Sequence, residues 1–381
     1  MEEEQAQGDA IALARQAAPF VHPQPPYRGI LSLLWTLLKT LFAAFFLLPM
    51  RLFVLCVALA SYFVIAVVLQ GLLPAPTAMP MLRWLGRRSL RAALLLLGVF
   101  RIKTSGHRDP KVSTLVSNHL SYVDVLVYGA LFFPSFVAKG SIRDIPVIGY
   151  LAKHVFQCVF VENHLRDRPS TIATDTTATT SATKHVSGVA ARRRHRQIHP
   201  PAEQKDARPA RQRNKDEEEA AISGIQGIIA RQEQQKDGQT GVPPLLIFPE
   251  GTTTNGRYLI HFHKGAFAGG YPIQPVFTRF PFRRWSPTWE SIPFYLHLFQ
   301  LLTQFYIPVE VTFLPAYYPS FDELADPQLY ADNVQQYMAK KMGVPATEHT
   351  IHDKLQHHSR ILAGIVSWRH DPLAAASPIC K

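Results

Sequence analysis

Two long apolar stretches open the chain, and shorter ones separated by polar turns follow. Leu52–Pro74 runs 23 residues without a charged side chain, long enough to cross a hydrocarbon core of roughly 30 Å. Ile30–Pro49 is nearly as apolar but carries Lys39 near its middle. A central lysine costs about 3 kcal/mol on insertion scales, which the surrounding Leu and Phe offset. The pair predicts a transmembrane or re-entrant helical anchor over residues 29–75: two spans, one span, or a hairpin hinged at Pro49-Met50-Arg51. A buried globular hairpin is the bland alternative. Arg83, Arg87, Arg88 and Arg91 follow directly and, by the positive-inside rule, favour a cytosolic position for what comes after.

The remaining pattern is of a different kind. Val112–Ser117, Phe136–Lys139, Val155–Val161, Leu245–Phe248 and Val309–Phe313 read as buried strands, and Pro272–Phe277 as another, interrupted by Pro275. Leu90–Phe100, Val125–Phe133, Asp216–Gln235 and Asp326–Gly343 read as helices, while Arg101–Pro110 is a polar connection. Ser291–Pro308 is apolar and uncharged and is read as a helix on the sheet or at the membrane surface. Strands alternating with helices predict an α/β fold, a largely parallel sheet flanked by helices, behind the N-terminal membrane-embedded segment. The expected organisation is a mobile arm over 1–28, the anchor, one domain over 76–345 and a polar tail over 346–381.

Charge changes this picture in one place. The net charge is +12, but His164–Lys215 alone carries 12 Lys/Arg against 4 Asp/Glu. No aromatic residue occurs between Val161 and Ile247, so this stretch lacks the apolar area to offset its ordering entropy. It reads as a disordered basic insertion, and its run Arg192–Arg196 as solvated linker rather than a site for anionic lipid or RNA. Met1–Pro26 begins acidic and does not read as a secretory signal. The three cysteines are far apart, as in a reducing compartment without a disulfide framework.

The candidate chemistry sits in two loops. His119 and Asp124, with four residues between them, follow a predicted strand and open a helix. A carboxylate on one ring nitrogen fixes the tautomer and leaves the other nitrogen as a base. A hydroxyl deprotonated there attacks an activated acyl group directly, and neither GxSxG nor CxxC offers a separate nucleophile. A structural histidine capping the helix is the plain alternative. The second loop, Pro249–Gly256, follows the strand Leu245–Phe248 and offers one carboxylate, Glu250, a flexible Gly251, hydroxyls from Thr252 onward, and Lys264-Gly265 further on. That set suits a phosphate-bearing substrate better than a metal, and ligands of open α/β sheets bind at such strand ends.

Together, N-H-L-S-Y-V-D at 118–124 and F-P-E-G-T-T-T-N-G at 248–256 resemble the first and third motifs of the glycerolipid acyltransferases. F-H-K-G-A-F at 262–267 and Y-P-I-Q-P-V at 271–276 match the segments that follow them. The likeness covers roughly Leu52–Pro345 apart from the insertion. It is nearest to the lysophospholipid branch, through L-P-A-Y at 314–317 and D-P-Q-L-Y-A-D-N-V at 326–334. The resemblance implies an acyl-CoA-dependent enzyme of phospholipid remodelling that acylates lysophosphatidylethanolamine or lysophosphatidylcholine. His119 would be its general base, Asp124 the orienting partner, and Asn118, Glu250, Gly251, Thr252, Lys264, Gly265 and Pro275 substrate-binding residues. It implies no metal or other cofactor beyond acyl-CoA as co-substrate, the lipid bilayer as partner, no nucleic acid, and a place in the endoplasmic reticulum membrane facing the cytosol.

Two positions depart from the pattern. Asn163 stands where the second motif usually has arginine, with Arg166 and Arg168 nearby, and Thr253 stands where the lysophosphatidic acid branch has arginine after E-G-T. A phosphomonoester dianion profits most from a guanidinium fork, so the departures favour a phosphodiester headgroup. The competing readings are a lysophosphatidic acid or glycerol-3-phosphate acyltransferase and a catalytically silent lipid-binding scaffold.

Overall fold

The computed structural model describes residues 17–22, 30–161, 223–235, 241–282 and 285–362, with backbone alone at 31–33. The basic insertion with Asn163, Arg166 and Arg168, and the end of the chain beyond Leu362, lie outside the described residues.

Seven strands form one sheet: β1 Ile102–Ser105, β2 Thr114–Ser117, β3 Ser135–Lys139, β4 Val159–Val161, β5 Leu245–Ile247, β6 Ile273–Arg279 and β7 Val309–Phe313. Their spatial order is β1-β7-β6-β2-β5-β3-β4. Every pairing is parallel except β6 with β7. The central strand β2 is buried throughout, so its side chains alternate between two cores. Leu115, with Leu246 of β5 and Val276 of β6, faces helices Ala75–Leu96 (α1), Val123–Phe132 (α2) and Phe294–Leu302 (α3). Val116, with Leu245, Ile247, Ile273 and Phe277, faces helix Pro327–Met342 (α4) and Ile228 of the helix over 223–235. Each aliphatic side chain fully buried in these layers stabilises the fold by about 1.5–3 kcal/mol.

Several local features differ from the sequence expectation, each for a physical reason. The polar stretch 101–110 holds β1, an edge strand paired with β7 whose residues are largely exposed, so it carries no apolar alternation. The predicted strand Val155–Val161 shortens to β4, because Leu151–Val155 is a π-helical turn. β6 runs without a break through Pro275, where Val116 of β2 lies opposite. Pairing with β7 begins only at Val276, so the missing N–H of Pro275 interrupts no rung there. The tail, expected only to be polar, contains a helix, Ile351–Leu362 (α5). Residues 17–22, expected to belong to a mobile arm, are packed, with Phe20, Val21 and His22 buried.

The N-terminal helix is continuous. Leu34–Leu72 forms a 39-residue helical stretch long and apolar enough to cross a membrane, about 58 Å at 1.5 Å per residue. A π-helical turn at Ala43–Leu47 precedes Pro49, which occupies the first turn of the following α-helical segment, so no hinge forms there. Arg51 ties this helix to the domain by donating to the carbonyls of Leu302 and Gln304, both at 2.6 Å, at the C-terminus of α3. At Leu73-Pro74 the chain turns and α1 packs back. Gly86 is needed at that crossing, since a Cβ there would lie 2.4 Å from the Phe133 ring and 2.6 Å from the Tyr62 hydroxyl.

Candidate active site

β2 and β5 are parallel neighbours, so the loops that leave their carboxyl ends lie side by side, and these loops are the two motifs. After β2 the chain reaches His119, bends, and enters α2, whose first turn contains Asp124. Asp124 is fully buried, and one of its oxygens, Oδ2, takes three donors. They are the ring Nδ1 of His119 at 3.0 Å, the backbone N–H of Leu120 at 2.6 Å and that of Ser121 at 2.9 Å. A carboxylate at a helix N-terminus is favoured by the dipole as well as by these bonds. The loop thus folds the acid back onto the imidazole. The His119 ring, stacked on Phe248 at 4.0 Å between centroids, keeps 20% of its side chain exposed. With Nδ1 held by Asp124, Nε2 is the nitrogen available to a substrate proton.

The second loop clamps the first. Glu250 is fully buried, and its carboxyl accepts the backbone N–H of His119 at 2.8 Å and that of Ile260 at 3.4 Å. Burial pushes the Glu250 carboxyl up to about 8, opposed by those two N–H donors and by Lys354 and reinforced by the nearby Asp124. Thr254 N–H in turn donates to the carbonyl of His119 at 2.9 Å. Both main-chain groups of His119 are therefore bonded to residues of the facing loop.

The other expected site residues divide into inward and outward sets. Asn118 is buried and exchanges two hydrogen bonds with the backbone of Thr278 on β6, so it joins strands. Pro275 lies inside β6 and is likewise buried. Gly251 is exposed at φ 64°, and Thr252 is half-buried. Lys264 is exposed on the turn Lys264–Ala266, with Gly265 facing Ile225 and Ile228. Thr253 turns inward, its hydroxyl donating to the Trp289 carbonyl and its oxygens accepting Lys354 Nζ at 2.7 and 2.8 Å.

Contacts that the sequence pattern did not disclose complete the support. Asn255 holds the N-terminal segment through the carbonyls of Ala18 at 2.7 Å and Val21 at 3.0 Å, and its own N–H donates to Pro19. His22 pairs with the buried Glu290 at 3.0 Å. Trp289 N–H donates to Leu120 at 2.7 Å, and the Tyr122 hydroxyl meets His297 Nδ1 at 3.0 Å. Burial pushes His297 down to about 4. Of these residues Leu120 and Tyr122 stand in the first motif and Asn255 in its turn cluster, whereas His22, Trp289 and Glu290 gave no signal in the sequence. Among the described residues no group of three metal-ligating side chains converges.

Comparison with known proteins bears on this arrangement. Residues 109–279 match the family model described as Acyltransferase. The chain is 30% identical over 255 residues to the lysophospholipid acyltransferase LPEAT1 of Arabidopsis thaliana, covering 67% of this chain and 51% of that protein. It is 31% identical over 241 residues to the lysophosphatidylcholine acyltransferase of Drosophila melanogaster, covering 63% and 34%. Over 113 residues it is 47% identical to lysophosphatidylcholine acyltransferase 1 of Rattus norvegicus, covering 29% and 21%. The chain thus spans about half or less of the length of these curated relatives. Among solved structures, the 1-acyl-sn-glycerophosphate acyltransferase PlsC of Thermotoga maritima is similar at a TM-score of 0.44 and 16% identity, over 81% of this chain and 95% of that one. Residues 109–279, which contain both clamped loops, form a domain of the Acyltransferase family.

Proposed function

We propose that this chain transfers an acyl group from acyl-CoA to the free hydroxyl of a lysophospholipid, as a phospholipid-remodelling enzyme. The observation that carries the reading is the His119–Asp124 pair at the carboxyl end of β2, with Nδ1 held by the carboxylate and the imidazole partly exposed. His119 Nε2 takes the proton of the acceptor hydroxyl while that oxygen forms a bond to the thioester carbonyl carbon. The carbon–sulfur bond then breaks, the thiol of CoA leaves, and the imidazolium returns its proton to the departing sulfur. Asp124 compensates the transient imidazolium charge, and holding both reactants in one site supplies the proximity term.

Glu250 is a positioning residue in this scheme, because its carboxyl is used on the main chain of the His119 loop. Gly251, Thr252, Lys264 and Gly265 receive the phosphate-bearing acceptor, and Pro275 stiffens β6 beneath the acyl region. The helix Leu34–Leu72 anchors the enzyme in the bilayer, where acceptor and product both reside. The cytosolic face of the endoplasmic reticulum is the location that supplies acyl-CoA.

The acceptor is lysophosphatidylethanolamine or lysophosphatidylcholine. Thr253 presents no guanidinium, and the one ammonium bonded to it, Lys354, is engaged by the Thr253 carbonyl and hydroxyl. Transfer of labelled oleate from its CoA ester, in membranes containing this chain, tests the choice. Lysophosphatidylethanolamine and lysophosphatidylcholine are expected to be acylated in preference to lysophosphatidic acid and glycerol-3-phosphate. Preference for the last two would overturn the headgroup argument while leaving the reaction intact.

A further inference from the structure

A second cleft lies at the opposite end of the strands from His119, beside the amino ends of β3 and β5. It is a cavity of about 320 Å³ lined by Arg83, Trp84 and Arg87 of α1, by Phe133, and by Pro243 and Pro244 ahead of β5. An apolar groove of about 390 Å³, lined by Leu69, Met81 and Leu85, adjoins it, and Pro80 and Trp84 line both.

Among the described residues, charge is unbalanced on Arg83, which lines the first cleft, and on Arg231, which meets Arg83 at Gln157 without lining the cleft. Arg83 Nη2 and Arg231 Nη2 both donate to one neutral acceptor, the side-chain oxygen of Gln157, each at 3.4 Å. Arg231 also donates to the Ser135 hydroxyl at 2.6 Å, and Arg87 to the Leu131 carbonyl at 2.7 Å. Among the described residues none of the three arginines is in an ion pair. The Nε atoms of Arg83 and Arg231 are buried without a hydrogen-bond partner. Partial burial lowers both guanidinium pKa values, and for Arg231 the charge of Arg83 lowers it further. Two cations converging on a neutral oxygen, partly withdrawn from water, are stabilised by an anion more than by anything else within reach.

The source of that anion follows from position. Arg83 lies on α1 about 12 Å along the helix from Ala75, at 1.5 Å per residue. Ala75 follows directly the turn at which the 39-residue apolar helix ends. Cationic residues so close to a membrane-length helix, with an apolar groove alongside, match an amphiphile with a negative headgroup. We infer that the Arg83–Arg87 cleft binds the phosphate headgroup of an anionic phospholipid, whose acyl chains lie along Leu69, Met81 and Leu85. This is a second lipid site, separate from the acyl-transfer site and independent of the choice of acceptor.

Trp84 is the reporter, since it lines both halves. The whole chain is placed in nanodiscs of phosphatidylcholine containing either brominated phosphatidylserine or brominated phosphatidylcholine. The Trp84 share of tryptophan emission is isolated by subtracting Trp84→Phe. Quenching by the brominated anionic lipid at a roughly tenfold lower mole fraction than by the brominated zwitterionic lipid is expected. The preference is lost in Arg83→Gln/Arg87→Gln and retained in Arg83→Lys/Arg87→Lys. Equal quenching by both lipids in the unaltered chain overturns the inference, and this reading needs neither arginine variant to fold. Displacement of the anionic lipid by inorganic phosphate at matched ionic strength overturns it in favour of a free-phosphate site.

Discussion

The buried carboxyl of Glu250 accepts the backbone N–H of His119 at 2.8 Å, so a side chain of the second motif fixes the main chain of the first. Removing that carboxyl leaves two N–H groups, of His119 and Ile260, without their acceptor. Each buried donor left unpaired costs about 1–3 kcal/mol. Glu250→Ala is therefore expected to lose about 2–5 kcal/mol of stability, read by denaturant unfolding in detergent. Activity is expected to fall as well, even under conditions where the variant remains folded.

The same group sets a pH dependence. Its folded pKa of about 8 lies above the ordinary 4.5, so the folded protein holds a proton that the unfolded chain releases. Stability from this group is complete below 4.5 and is lost as pH rises towards 8. Unfolding midpoints measured across that window should decline for the natural chain and decline less for Glu250→Gln, which cannot titrate.

Asp124→Asn keeps the volume of the side chain but removes the charge that orients His119. Loss of an oriented base is worth about 10²- to 10⁴-fold in rate. The fall should appear in kcat, with KM for acyl-CoA changed by less than about threefold, because an interaction made only as the proton moves leaves ground-state binding alone.

Gly251 holds φ at 64°, and a Cβ there would come within 3.1 Å of the His263 ring. Gly251→Ala combines a left-handed backbone penalty of about 1–2 kcal/mol with that crowding. A lowered melting temperature and a raised KM for the lysophospholipid are expected, the two being read on the same preparation.

The N-terminal segment should matter to the second loop. Phe20 is fully buried, and Asn255 is bonded to the carbonyls around it. Phe20→Ala is expected to cost about 3 kcal/mol and to speed hydrogen exchange at the Thr254 and Asn255 amides. Unchanged exchange there would separate the segment from the loop.

The central strands and both motif loops were legible in the sequence because they obey local rules. Largely apolar runs of four to six residues bounded by turn residues mark β2, β3, β5 and β7, and Asp326, Pro327 and Gly343 bracket α4 with a cap at each end. Features decided by tertiary contact were not legible. β1 is an exposed edge strand, and Lys354 reaches Thr253 from 101 positions away. Glu250 looked like a ligand-facing carboxylate because its inward bonds go to the main chain of a distant loop, which sequence pattern does not record. His119 and Asp124 were readable as a pair because only a tight loop separates them.

The most direct test is the rate of oleoyl transfer to lysophosphatidylethanolamine by His119→Ala beside the unaltered chain, in membranes matched for amount and folding of the protein. If Nε2 of His119 is the base, the rate falls by at least about 100-fold. A variant that retains the rate to within about threefold would contradict that role.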